Sequence, residues 1–216
     1  MSENLFETRY DLTKKSKIRE FYDSNKTLIY STLFIILIVF ASFTYYQSSN
    51  ERKKILLSES YIQAKFYLGS GNREEALEIL KGIVFSNDVT YSSLSLFLII
   101  NQNLIKDNIE VSNLFDHLLE NNKFDNEIKN LIIYKKALHN SNYINESQLL
   151  EELKPLLNSE DSVWRAHALL LLGDIYFSKK EYIKAKDFFT QIFAIKNLRP
   201  ELYNEAKSKL AFISND

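Results

Sequence analysis

Thr27 to Asn50 contains no Asp, Glu, Lys or Arg, and within it Leu28–Tyr46 reads LIYSTLFIILIVFASFTYY. At about 1.5 Å per helical residue, those nineteen residues reach about 29 Å, close to the roughly 30 Å hydrocarbon core of a bilayer. A cleaved signal sequence is the main rival. It carries an apolar region of about 7–15 residues and ends in a small-x-small cleavage site. Here the block is longer and leaves through Phe43, Tyr45 and Tyr46, whose rings suit a membrane–water boundary. Lys26 closes one end and Glu51-Arg52-Lys53-Lys54 the other. A buried core helix rarely runs this long with aromatic residues at both rims. The expectation is an uncleaved single-pass anchor.

The chain divides accordingly into a charged tail over 1–26, an anchor over 27–50 and a body over 51–216. Within about 20 residues of the span, the N-terminal side carries Arg9, Lys14, Lys15, Lys17, Arg19 and Lys26, and the C-terminal side Arg52, Lys53, Lys54 and Lys65. Six positives against four favour a cytoplasmic N-terminus and an exported body. The 166 residues from Glu51 to Asp216 suffice for one domain with its own core. Lys and Arg total 27 against 28 acids, which gives no field to attract nucleic acid. Cysteine is absent, so disulfides, thiolate metal sites and Cys nucleophiles drop out together.

Only four Gly and two Pro occur in 216 residues, so little interrupts helix. The interruptions are small polar clusters: Gly69-Ser70-Gly71-Asn72, Ser86-Asn87-Asp88, Lys106-Asp107-Asn108, Asn121-Asn122, Asn140-Ser141-Asn142, Asn158-Ser159 and Lys179-Lys180-Glu181. Gly and Asn tolerate the left-handed conformation that ends a helix, and Asn, Asp and Ser cap the next one. Between them, apolar residues recur at i, i+3, i+4 and i+7, the period of an amphipathic helix. The fold class expected is all-α.

Leu169, Leu172, Gly173, Tyr176, Ala185, Phe189 and Ile192 match the tetratricopeptide pattern W-x2-L-G-x2-Y…A-x3-F, with Leu169 in place of Trp. Gly173 and Ala185 are small enough to let two helices approach to about 8–10 Å, and Tyr176 and Phe189 fill the space around that crossing. A first repeat is read over Ala64, Tyr67, Ala76, Leu80 and Ile83. A second falls on Ile99, Val111, Phe115 and Leu118, and a third on Ala137, Leu149, Leu153 and Leu156. Positions 64, 99, 137 and 173 differ by 35, 38 and 36 residues, near the 34-residue tetratricopeptide period. The next helix supplies Leu202 and Ala206. The body therefore resembles a tetratricopeptide-like α-solenoid of about four helical hairpins plus a C-terminal capping helix.

Such a solenoid leaves a concave face lined by the first helix of each pair. The residues expected there are Tyr61, Lys65, Leu96, Asn103, Tyr134, His167, Leu170 and Asp174, suited to holding a segment of another protein. The competing reading for a Tyr or Leu at helical spacing is core filling, and for Lys65 or Asp174 a solvated surface charge.

No catalytic constellation emerges. His117, His139 and His167 are isolated on three different expected helices, and none belongs to HExxH or another metal spacing. There is no G-x-S-x-G and no glycine-rich phosphate loop. Asn145-Glu146-Ser147 is a formal glycosylation sequon, and Trp164 is read as a packing or interface residue. The expectation is a non-enzymatic protein without cofactor, metal or small-molecule substrate.

Before the span, Lys17 to Lys26 places Ile18, Phe21 and Tyr22 on one face among charges, as a helix in the headgroup layer would. The order of charged tail, juxtamembrane REFYDSNK, single span and degenerate tetratricopeptide repeats resembles the YfgM family, ancillary subunits of the bacterial SecYEG translocon. The resemblance runs from about Ile18 to Ile213. It implies an inner-membrane protein with a cytoplasmic N-terminus and periplasmic repeats. It also implies association with the Sec translocon and with a membrane-anchored periplasmic chaperone of the prolyl-isomerase type, helping newly exported proteins. Two alternatives remain open at this point: a cytosol-facing receptor for targeting peptides, and an assembly scaffold for an envelope complex.

Overall fold

The computed structural model describes residues 17–159 and 162–215, with side chains at 17–20, 23 and 215 outside that description. Residues 1–16 of the tail expected over 1–26, with Arg9, Lys14 and Lys15, lie outside the described residues, as do the side chains of Lys17, Ile18 and Arg19. Among the described residues there are nine α-helices and no strand: α1 Lys17–Gly69, α2 Arg73–Val84, α3 Val89–Asn101, α4 Asn108–Asn121, α5 Asn126–Asn140, α6 Glu146–Leu157, α7 Trp164–Ser178, α8 Tyr182–Ile192 and α9 Pro200–Asn215. The chain divides into two compact units, Met1–Ile55 and Leu56–Asp216.

In the first unit the apolar block of α1 has no protein to pack against. Every side chain from Leu33 to Phe40 is 51–65 % exposed. Fully removing one such side chain from water is worth about 1.5–3 kcal/mol, so this surface strongly favours an apolar environment. Three of its hydroxyls are satisfied within the helix: Ser31 and Thr32 donate to the Leu28 carbonyl at 2.9 and 2.8 Å, and Thr44 donates to the Ala41 carbonyl at 2.9 Å. By length and composition, α1 is suited to cross a membrane, as a retained span or as a signal sequence. Phe21 and Tyr22 lie on its exposed surface.

In the second unit each of the seven polar clusters falls at a helix boundary. Three helix ends, two of them within these clusters, share one geometry. Gly71, Asn103 and Lys180 take left-handed φ of 86°, 50° and 62°. The following amide then donates back five residues: Asn72 to Tyr67, Leu104 to Ile99 and Glu181 to Tyr176, at 2.9, 3.0 and 2.9 Å. Those bonds satisfy carbonyls the helix end would otherwise orphan. Helix starts are capped by acids and amides. Asp88 Oδ1 accepts from the amides of Thr90 and Tyr91 at 3.0 and 2.8 Å, Asp125 accepts from Ile128, and Asn145 forms a capping box with Gln148. The sequon asparagine thus has a structural role as the first capping residue of α6.

The core is built in three sections. Ala64, Leu80, Val84, Leu96, Ile99, Phe115 and Ile132 tie the end of α1 to α2–α5. Ala137, Leu149, Leu153, Leu156, Ala168 and Leu172 join α5, α6 and α7. Leu169, Tyr176, Ala185, Phe189, Ile192, Leu202 and Ala206 join α7, α8 and α9. Each helix from α2 onward packs on the next, and α5–α7 and α7–α9 also touch directly. In the C-terminal half, α5, α7 and α9 therefore form one layer. At Gly173 α7 and α8 meet closely: a Cβ there would stand 2.6 Å from Phe189 Cδ1 and 2.9 Å from its Cζ. A side chain at position 173 and the Phe189 ring compete for one volume.

Candidate interaction face

The α5/α7/α9 layer gathers side chains from distant parts of the sequence. Tyr134 of α5 lies 5.5 Å from the Trp164 ring and 5.6 Å from the His167 ring, and Trp164 and His167 are 5.2 Å apart. These centroid separations fall in the range of favourable aromatic contact. One turn and more along α7, Asp174 pairs with Lys209 of α9, which also reaches Glu205 at 3.4 Å. The Lys209 ammonium lies 5.8 Å from the centre of the Phe189 ring.

Charges around the rings set their ionisation. Burial raises the Tyr134 phenol above its ordinary value, and the Asp174 and Glu205 carboxylates add to the rise. Burial holds His167 below its ordinary value; Arg199 and Lys135 push the same way while Glu205 opposes them. At neutral pH the trio is therefore an uncharged, half-buried aromatic surface with an acidic edge at Asp174 and Glu205 and a basic edge toward Arg199.

The eight residues expected on a concave face separate into distinct roles. Tyr134, His167 and Asp174 are partly exposed on this layer. Leu170 is 8 % exposed and belongs to the α7–α9 core. Leu96 is fully buried among α1–α5 side chains, so it fills core and presents nothing to a ligand. Asn103 lies past the end of α3 in the left-handed conformation, where its carbonyl accepts from Arg73 Nη2 at 3.2 Å; it is a turn residue. Tyr61 packs its ring 6.3 Å from Tyr91, and Lys65 is exposed on α1. Neither Tyr61 nor Lys65 shares a ring contact, hydrogen bond or ion pair with the Tyr134 trio.

Trp164 is the member whose role the sequence left open between packing and interface. Its only local signal is its place at the start of a helix, 30 residues from Tyr134. The other two histidines stand elsewhere. His117 Nε2 hydrogen-bonds Asn87 Oδ1 at 2.9 Å and packs on Phe85, while His139 lies beside Phe115 and Tyr143. Among the described residues no group of three or more His, Cys, Asp or Glu could hold a metal ion. The face offers aromatic area, two ion pairs that share Lys209 and hydrogen-bonding tips, which is chemistry common at protein–protein interfaces.

No family model matches the chain, and no curated protein or solved structure matches it either.

Proposed function

We propose that this chain is a non-enzymatic interaction protein held at a bacterial inner membrane by α1, with its N-terminus cytoplasmic and its body periplasmic. The observation that carries the reading is the unpartnered apolar surface of α1, an unbroken exposed run at Leu33–Phe40 above all, in a chain whose other unit builds a buried core of its own. Polypeptide keeps such a surface where lipid covers it. The sequence argument for a retained anchor over a cleaved signal rests on the length of the block and its tyrosine exit.

The body is read as a tetratricopeptide-like solenoid of about four hairpins capped by α9. Support comes from Ala64, Ile99, Ala137 and Gly173, all buried and spaced by 35, 38 and 36 residues, and from the direct packing of α5, α7 and α9 as first-helix elements. The partners follow from the resemblance to the YfgM family: the Sec translocon and a membrane-anchored prolyl-isomerase-type chaperone, with newly exported chains as clients.

The test places a photo-crosslinking residue at Tyr134 in the full chain within bacterial membranes. Adducts with translocon subunits or the chaperone are expected. Adducts confined to cytosolic proteins would replace the reading with a targeting-peptide receptor, and adducts confined to a folded envelope complex would replace it with a scaffold.

A further inference from the structure

The segment joining α8 to α9 and the first turn of α7 enclose a cavity of about 500 Å³ that the aromatic face does not use. Three cations line it, Arg165, Lys196 and Arg199, and no described acid does. None of the three makes an ion pair among the described residues. Arg165 Nε is buried without a hydrogen-bond partner, although a guanidinium normally bonds carboxylate or phosphate when removed from water. Ser162, only 3 % exposed, also lines the cavity; its Oγ accepts from Asn130 Nδ2 at 3.0 Å and from the Trp164 amide at 3.2 Å. In both bonds that hydroxyl is the acceptor.

Two further features point to an anion, and a third to an apolar part of the ligand. The cavity lies at the N-terminus of α7, where Val163 supplies no side-chain cap and the helix dipole favours negative charge. Asn197, in the left-handed conformation at φ 56°, turns the chain so that Lys196 and Arg199 both border the same space. The rest of the lining is apolar, including Val163, Ile195, Leu198 and Leu202, and the volume exceeds what one phosphate group needs.

From this combination we infer that the cavity is a binding site for a phosphate group carried on a molecule with a short apolar part, with Arg165, Lys196 and Arg199 as its ligands. Arg165 contributes a directional, preorganised guanidinium from a helix, and the two loop cations close on the anion from the rim. The shared chemistry covers a small phosphate ester and a phospholipid headgroup.

The chain reports on this site itself. Trp164 is its only tryptophan and lies between two lining residues, Val163 and Arg165. The full chain, in a phosphate-free maltoside detergent, is titrated with inorganic phosphate and separately with dihexanoylphosphatidylglycerol, with chloride at matched ionic strength as reference. A saturable change in Trp164 emission beyond the chloride response is expected. Arg199→Gln and Lys196→Gln should each raise the half-saturating concentration several-fold, and together about tenfold or more. Both side chains are exposed, so these variants should keep the wild-type melting curve; Arg165→Gln is read only if its melting curve is also unchanged. Lys135→Gln, outside the cavity, should leave the titration as it is. Saturation by inorganic phosphate assigns small phosphates, and saturation by the lipid alone assigns a headgroup; either supports the site. No saturable response to either probe, or midpoints unmoved in the Arg199 and Lys196 variants, would overturn it.

Discussion

The same change, glycine to alanine, should have opposite effects at two helical positions of this chain. Gly82 in α2 has nothing within 4 Å of where a Cβ would stand. Alanine there gains about 0.5–1 kcal/mol of helix propensity, somewhat less so close to the helix end, without a steric penalty. Gly173 in α7 is also helical and gains the same propensity, plus about 0.8 kcal/mol for one more buried carbon. Against that gain, its Cβ would sit 2.6 Å from Phe189 Cδ1, where ordinary contact begins near 3.4 Å. Phe189 Cε1 would stand closer still, so the ring would have to retreat by more than about 0.8 Å, and Phe189 is fully buried in a close-packed interior. Overpacking of this kind costs about 1–3 kcal/mol, occasionally more. A clash this deep on a side chain with no room to turn belongs at the upper end, leaving a net loss of about 1–2 kcal/mol. For a chain of this size that lowers the melting midpoint by roughly 2–8 °C. The assay is thermal and urea unfolding of the full chain in detergent, followed by far-ultraviolet circular dichroism. Gly82→Ala should melt at or above wild type and Gly173→Ala below it. Phe189→Leu combined with Gly173→Ala should destabilise by less than the two single changes summed, because each makes room for the other. Equal gains at both glycines, or strict additivity with Phe189→Leu, would refute the close crossing of α7 and α8.

Asp88→Ala removes the acceptor for the Thr90 and Tyr91 amides and should cost about 1 kcal/mol, read as a lower urea midpoint with unchanged slope. Val39→Arg puts a charge in the middle of the exposed apolar run of α1, a penalty of about 2.5–3.5 kcal/mol for a spanning helix. The carbonate-resistant fraction should fall, and an unchanged fraction would mean that this stretch is not in the bilayer. His139 and His167 are both held below the ordinary histidine value, chiefly by burial. As pH falls below about 6.5 the unfolded chain takes up protons before the folded one, so their contribution is present above that pH and is lost as pH drops through the folded values. The melting midpoint should therefore decline between pH 7 and 5, and His139→Gln with His167→Gln should flatten that decline.

The helix boundaries were readable because the residues that end and start helices here do so by their own chemistry. Gly71 accepts left-handed φ, and Asp88, Asp125 and Asn145 accept amide hydrogen bonds from the next turn. The connection between α8 and α9 was not among the clusters singled out. Phe193, Ile195 and Leu198 continue an apolar rhythm through it, and only Asn197 and Pro200, the first residue of α9, mark the break. That omission also hid the cavity, since two of its three cations lie on this segment. Side chains that meet across the α5/α7/α9 layer are separated by one full helix pair in sequence. Tyr134 and Trp164 are 30 residues apart, and Asp174 and Lys209 are 35 apart. Periodicity within one helix cannot show such pairs. It also could not tell Leu96 from a surface residue, because α3 is apolar around most of its circumference, and only packing on its neighbours decides which sides are covered.

The membrane anchor and its direction carry the functional reading, and the chain's lack of cysteine makes them simple to measure. Ser2→Cys and Ser178→Cys supply one thiol each, in the tail and in the body. Spheroplasts expressing either variant are treated with a membrane-impermeant maleimide before and after lysis. The proposed arrangement requires Ser178→Cys to react in intact spheroplasts and Ser2→Cys to react only after lysis, with both at full length in the membrane fraction. Labelling of Ser2→Cys alone in intact spheroplasts, or a Ser178→Cys protein released as a shorter soluble chain, would contradict it.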